Sequence, residues 1–141
     1  MRILLVSANF RPSVGGIERY VELLAEGLAA RGHKVTVLCC RSGRAPRREL
    51  ANGVQIVRLP ATYALKRGVN VHYPIPTPVA LARELGRLVP QADVTHVHDA
   101  LYLTSAAALR RARRHGIPSV LTQHVPSLRS PRSSSMPSSA G

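Results

Sequence analysis

Three histidines, an aspartate and a pair of glycines are the residues of this chain whose types and spacing could do chemistry. His96, His98 and Asp99 close the run DVTHVHDA, His124 closes SVLTQH, and Gly15 and Gly16 close RPSVGG. In an extended strand, alternate residues share a face, so His96 and His98 point the same way and Asp99 follows at the strand's mouth. Such a set could carry a proton, orient a polar substrate or, with Asp99 or His124 as a third ligand, hold a metal. A buried, hydrogen-bonded structural role suffices for His96, the deeper of the pair. His98, at the strand end, is the candidate for chemistry, and the set is read as metal-free. Gly15 and Gly16 let a ligand approach backbone N–H groups at the positive end of a helix, which suits a phosphate. The same pair also serves a helix start that simply needs pliable backbone. It is not GxGxxG, and no lysine follows it as in a P-loop. Ser7 and Ser13 lack a nucleophile elbow.

These residues must be positioned by strands and helices, and the apolar periodicity predicts which. Ile3–Ser7, Lys34–Cys40, Val54–Leu59, Asp93–His98 and Ser119–His124 read as strands. Ile17–Arg31, Pro78–Val89 and Leu101–His115 read as helices. In the first helix Ile17, Tyr20, Val21, Leu24 and Leu28 form one stripe, and Gly32 stops it. Gly116 stops the third, after the cations Arg110, Arg111, Arg113 and Arg114. The stretches 7–14, 41–52 and 60–78 read as loops. Strands alternating with helices predict an α/β fold, a Rossmann-like doubly wound parallel sheet of about five strands. In that fold the ends of the strands bearing His98 and His124 share the carboxyl edge of the sheet with Gly15 and Gly16, where ligands gather. Residues 125–141 are rich in Ser and Pro, show no periodicity and read as a disordered tail.

Composition narrows the class. A chain of 141 residues with 45% apolar content suits one globular domain. Twenty basic residues, all but Lys34 and Lys66 arginine, stand against seven acidic ones, a net charge of +13. That balance suggests a polyanionic partner or a compositional bias toward arginine. One Phe, four Tyr and no Trp leave little to stack bases, which argues against a binder of single-stranded nucleic acid. Cys39 and Cys40, adjacent at the end of a strand, read as small buried residues rather than metal ligands. The amino terminus is too short in apolar residues for a signal peptide or a membrane span, so a cytoplasmic protein is expected.

The run RPSVGGIERYVELLAEGLAARGHKVTVL, followed by DVTHVHDA, a helix and GIPSVLTQH, resembles the N-terminal, acceptor-side domain of the family-4 retaining glycosyltransferases of GT-B fold. The resemblance covers about Met1 to His124. It implies half of a two-domain enzyme that moves a sugar, with retention, from a nucleotide-sugar donor to a glycan or lipid-linked acceptor. By resemblance, Gly15 and Gly16 lie against the donor diphosphate. His98 is the catalytic-site histidine near the reacting sugar. Asp99 and His124 line the acceptor side of the cleft. Neither a metal nor a resident cofactor is implied. The resemblance also implies a donor-binding domain with an E-x7-E pair. Glu84 does not begin one, since Ala92 stands eight residues on. The expectation is therefore an incomplete domain over 1–124, a tail over 125–141, no donor-binding domain, and no activity from this chain alone. Arg83, Arg87, Arg110, Arg111, Arg113 and Arg114 could rest on an anionic membrane, placing the protein peripherally at the inner face. The alternative is a non-catalytic basic α/β module that binds nucleic acid or an anionic membrane.

Overall fold

The structure is a computed structural model that describes residues 1–12, 15–63, 74–99 and 102–123. Its strands are β1 (Arg2–Val6), β2 (Lys34–Cys40), β3 (Arg48–Ala51), β4 (Val54–Leu59), β5 (Ala61–Tyr63), β6 (Pro74–Pro76), β7 (Val94–His98) and β8 (Ser119–Thr122). Its helices are α1 (Gly16–Ala30), α2 (Pro78–Leu88) and α3 (Leu103–Arg114), with a 3-10 turn at Val89–Gln91. Six strands form one sheet in the order β3-β4-β2-β1-β7-β8. All neighbours in it are parallel except β3 and β4.

The sheet is buried between helices on both faces, as its near-continuous apolar strands require. Ile3 and Leu5 point to the α1 side, with Val21, Ala25, Val35, Val37, Cys39 and Ile56. Leu4 and Val6 point to the other side and pack with Leu38, Val57, Leu81, Leu85 and Val97 beneath α2 and α3. The alternation in RILLV is thus split between two cores. Gly32 and Gly116, both with positive φ (91° and 65°), end α1 and α3.

Three stretches depart from the expectation. The stretch 41–52 contains β3, which pairs antiparallel with β4 through Asn52 and Gly53, both at positive φ (53° and 78°). That is the geometry of a tight hairpin turn, and Asn-Gly is its sequence signature. The sheet therefore has six strands, with a short, charged antiparallel edge that discourages further pairing. The stretch 60–78 holds the small antiparallel pair β5–β6. The segment after β1 is not simply a polar loop: Ser7, Ala8 and Phe10 are buried. At the opposite edge β8 leaves Val120 and Leu121 exposed. The predicted tail and His124 lie outside the described residues.

Candidate functional site

Strand order places β1 centrally. The chain runs from it to β2 and β4 on one side and later to β7 and β8 on the other. The order thus reverses between β1 and β7, and the carboxyl ends of these two strands border the crevice where such sheets take ligands. Ser7, Ala8 and Asn9 leave β1 there; His98 and Asp99 leave β7 there; Gly15, Gly16 and Glu18 start α1 above them.

His98 is only 1% exposed. Its ring stacks on His96, centroids 4.4 Å apart and planes 27° off parallel, and meets the Tyr20 ring edge-on at 6.0 Å. Both histidines do share a face. However, His98 is the buried one and His96 the half-buried one, because α1 covers the strand end. Stacked rings direct their in-plane lone pairs side by side, which is poor geometry for chelating one ion. Among the described residues no three His, Cys, Asp or Glu side chains converge as a metal site. The His96 Nε2 is 2.7 Å from Thr122 Oγ1 on β8, a bond whose direction depends on the tautomer.

The main chain around His98 is tied from two elements. Ser105 Oγ, in the first turn of α3, donates to the His98 carbonyl at 2.9 Å. The Asp99 N–H donates to Thr122 O at 2.9 Å, and the Asp99 carbonyl accepts from the Tyr102 N–H at 3.4 Å. Asp99 has φ 62° and is 1% exposed. The left-handed region is sparsely populated by residues other than glycine, although aspartate tolerates it better than most.

Gly15 is the N-cap of α1 with extended backbone, φ 173°. Any residue could adopt that conformation, so the backbone there does not call for glycine. A Cβ there would run into the carboxylate of Glu18, which folds back over the helix start. Nothing lies within 4 Å of a Cβ at Gly16. The α1 dipole holds the Glu18 carboxylate favourably. The Tyr102 hydroxyl is pushed above its ordinary range, first by burial and then by the negative charges of Asp99 and Glu18.

Together Ser7, Asn9, Glu18, His98, Asp99 and Tyr102 border a hollow of about 30 Å³. That is room for one or two waters and not for a sugar, and the residues around it make a polar wall. The wall can accept hydroxyl protons through its carboxylates, donate through the Tyr102 hydroxyl and offer N–H groups at the start of α1. A wider hollow of about 280 Å³, lined by Arg2, Lys34 and Arg87, opens at the amino end of the sheet, away from the converging strand ends.

The structure brings His98 and Asp99 to one hollow with Ile17 and Glu18 in the first turn of α1, which directly follow Gly15 and Gly16 in the chain. Sequence reasoning missed Tyr20, Tyr102 and Glu18. Tyr20, expected on the buried stripe of α1, is 46% exposed and meets the His98 ring edge-on instead. No local signal marks it, since its partner is on β7. Cys39 and Cys40 are buried as expected, and burial pushes each thiol up to about 12.

Residues 14–139 match Glycosyltransferase Family 4, and the chain belongs to that family. It is 29% identical over 128 residues to a subunit of human phosphatidylinositol N-acetylglucosaminyltransferase, covering 86% of this chain and 25% of that protein. It is 32% identical over 124 residues to the GDP-mannose-dependent α-(1-6)-phosphatidylinositol dimannoside mannosyltransferase of Mycobacterium tuberculosis, covering 88% and 30%. The chain thus spans between a quarter and a third of the length of these relatives. Among solved structures it is similar to sucrose-phosphate synthase from Thermosynechococcus elongatus. The TM-score is 0.55 and the identity 22%, over 87% of this chain and 33% of that one, a likeness of fold.

Proposed function

We propose that this member of glycosyltransferase family 4 supplies the acceptor-side wall of a retaining glycosyltransferase site, working with a donor-binding domain. The observation that carries the reading is the meeting of His98 and Asp99 with the start of α1 at the switch point between β1 and β7. In the reaction, the bond from the anomeric carbon to the donor diphosphate breaks as the acceptor oxygen bonds on the same face, and the acceptor hydroxyl proton passes to the leaving diphosphate oxygen. The N–H groups at Gly15 and Gly16 face the charge developing on the leaving diphosphate. Glu18 must swing aside for that, since two anions cannot share the helix start. His98, held between His96 and Tyr20, orients the donor sugar, and Asp99 and Tyr102 take acceptor hydroxyls. His124 completes the acceptor side. No metal or resident cofactor enters this scheme.

The acceptor is a glycan or a lipid-linked sugar. The phosphatidylinositol and phosphatidylinositol dimannoside in the names of two relatives favour the lipid. No helix among the described residues is long and apolar enough to cross a membrane. Contact with an anionic inner-face surface falls to Arg83, Arg87, Arg110, Arg111, Arg113 and Arg114, at about 1 kcal/mol for each residue near it. Co-sedimentation should rise with anionic lipid in the vesicles and be lost when that lipid is left out.

The test of the site is a backbone NMR titration of the chain with UDP- and GDP-sugars and with myo-inositol. Shifts clustered at Gly15–Glu18 and His98–Tyr102 are expected. Shifts confined to the arginine faces of α2 and α3, evoked by DNA or anionic lipid alone, favour the basic-module alternative. The chain alone, incubated with nucleotide sugars and phosphatidylinositol, should transfer no sugar.

A further inference from the structure

β4 carries a residue its position does not explain. Val57 and Leu59 face the core under α2 and α3. Arg58, between them, points to the α1 side of the sheet beside Cys39, and its side chain is only 2% exposed. A buried guanidinium is costly unless its N–H groups are all engaged. Here Nε and Nη2 both donate to the carbonyl of Arg11, at 3.2 and 2.9 Å. Nη1 donates to the Pro46 carbonyl at 3.0 Å and pairs with Glu49 Oε1 at 2.8 Å. Two parallel donors on one oxygen fix the direction of that peptide as well as its distance.

The Arg11 main chain is thus fastened to β4. Its side chain is fastened to α1, through Glu22 at 3.2 Å and Glu26 at 3.6 Å, and lies over the Phe10 ring at 5.4 Å. Arg11 stands four residues before Gly15. Arg11 is thus tied to β4 by its carbonyl and to α1 by its side chain. A charged residue that breaks the apolar pattern of a core strand calls for a gain of this kind elsewhere.

We infer that Arg58 is a positioning residue for the β1–α1 segment: its fork on the Arg11 carbonyl aims the N–H groups of Gly15 and Gly16. Its effect on ligand binding rests on the reading, given above, that these N–H groups receive a diphosphate. Preorganisation of this kind governs affinity because a small misplacement of donors forfeits their bonds.

Arg58→Lys is the informative substitution. Lysine keeps the charge and the Glu49 pair but cannot fork onto one carbonyl. Glu49→Gln removes the ion pair and leaves the fork. Both are compared with the full-length chain by amide hydrogen exchange and by pyrophosphate titration followed at Gly15 and Gly16. In Arg58→Lys, exchange should rise about tenfold or more at Cys40 and Arg19, whose N–H groups are bonded to Ala8 O and Gly15 O, with β1 and β7 unchanged. Pyrophosphate affinity should fall by about tenfold in the same variant. Glu49→Gln should leave both readouts near wild type. A folded Arg58→Lys chain with unchanged exchange at these sites overturns the inference. Raised exchange without any pyrophosphate shift in the wild type upholds the positioning and sinks the diphosphate reading instead. If Arg58→Lys does not fold, the wild type decides by native-state exchange. Equal protection of the Arg58 Nε–H and the Cys40 amide, bonded to Ala8 O, supports the inference. A Cys40 amide exchanging about tenfold faster than that Nε–H overturns it.

Discussion

Replacing Phe10 with alanine tests whether the segment after β1 belongs to the core. Phe10 is the only phenylalanine of the chain, is 2% exposed and packs with Val21, Ala25, Val37 and Cys39 on the α1 side. Truncating a buried phenylalanine costs about 3–5 kcal/mol, through lost burial and the cavity left behind. The Arg11 guanidinium over the ring contributes about 0.5–1 kcal/mol of that where partly exposed. A domain of this size is stable by about 5–15 kcal/mol, so Phe10→Ala should remove a large fraction of the total. Phe10→Leu keeps most of the volume and loses the π face; about 1–1.5 kcal/mol is expected. Urea denaturation followed by far-UV circular dichroism reads both variants, with the midpoint shifting at constant slope. A surface substitution would stay within about 0.5 kcal/mol. If Phe10→Ala falls within that range, Phe10 is not a core residue and the account of this segment fails.

Substitutions at three other positions probe the site and the sheet. Asp99→Val forces a β-branched side chain into a left-handed turn and should cost about 2 kcal/mol in a urea titration, whereas Asp99→Gly should recover the backbone part of that loss. Glu18→Gln removes one of the charges that raise Tyr102, so the Tyr102 pKa, followed by the ζ-carbon shift, should move down; no change would place Glu18 elsewhere. The buried thiols titrate far above their usual 9, at about 12, because burial disfavours the thiolate. Their folded values exceed the unfolded ones, so their contribution is complete below pH 9 and is lost as the pH rises toward 12. Cys39→Val should flatten that alkaline decline in urea midpoint, and in the wild type neither thiol should react with iodoacetamide at about pH 8 without denaturant.

Much of the fold was legible because its signals are local. The apolar runs of β1, β2 and β4, the stripe Leu81–Leu85–Leu88 of α2 and the glycine stops after α1 and α3 each declare themselves within a few residues. The hairpin at Asn52–Gly53 was equally local, but the arginines around it made the stretch look like a loop. That His98, Asp99 and the start of α1 share one edge was legible because connectivity alone brings these ends together in a parallel sheet.

What the sequence by itself determined was the order of strands and helices, and so which loop ends share an edge. It did not determine depth or partners, since these depend on residues far apart in the chain. That His98 is covered and His96 half open follows from where α1 crosses β7. That Phe10 is core and Tyr20 is not follows from how the segment after β1 folds against that helix. The fork of Arg58 on Arg11 joins residues 47 positions apart. No period or motif encodes such a bond; only the packed sheet brings its two ends within reach.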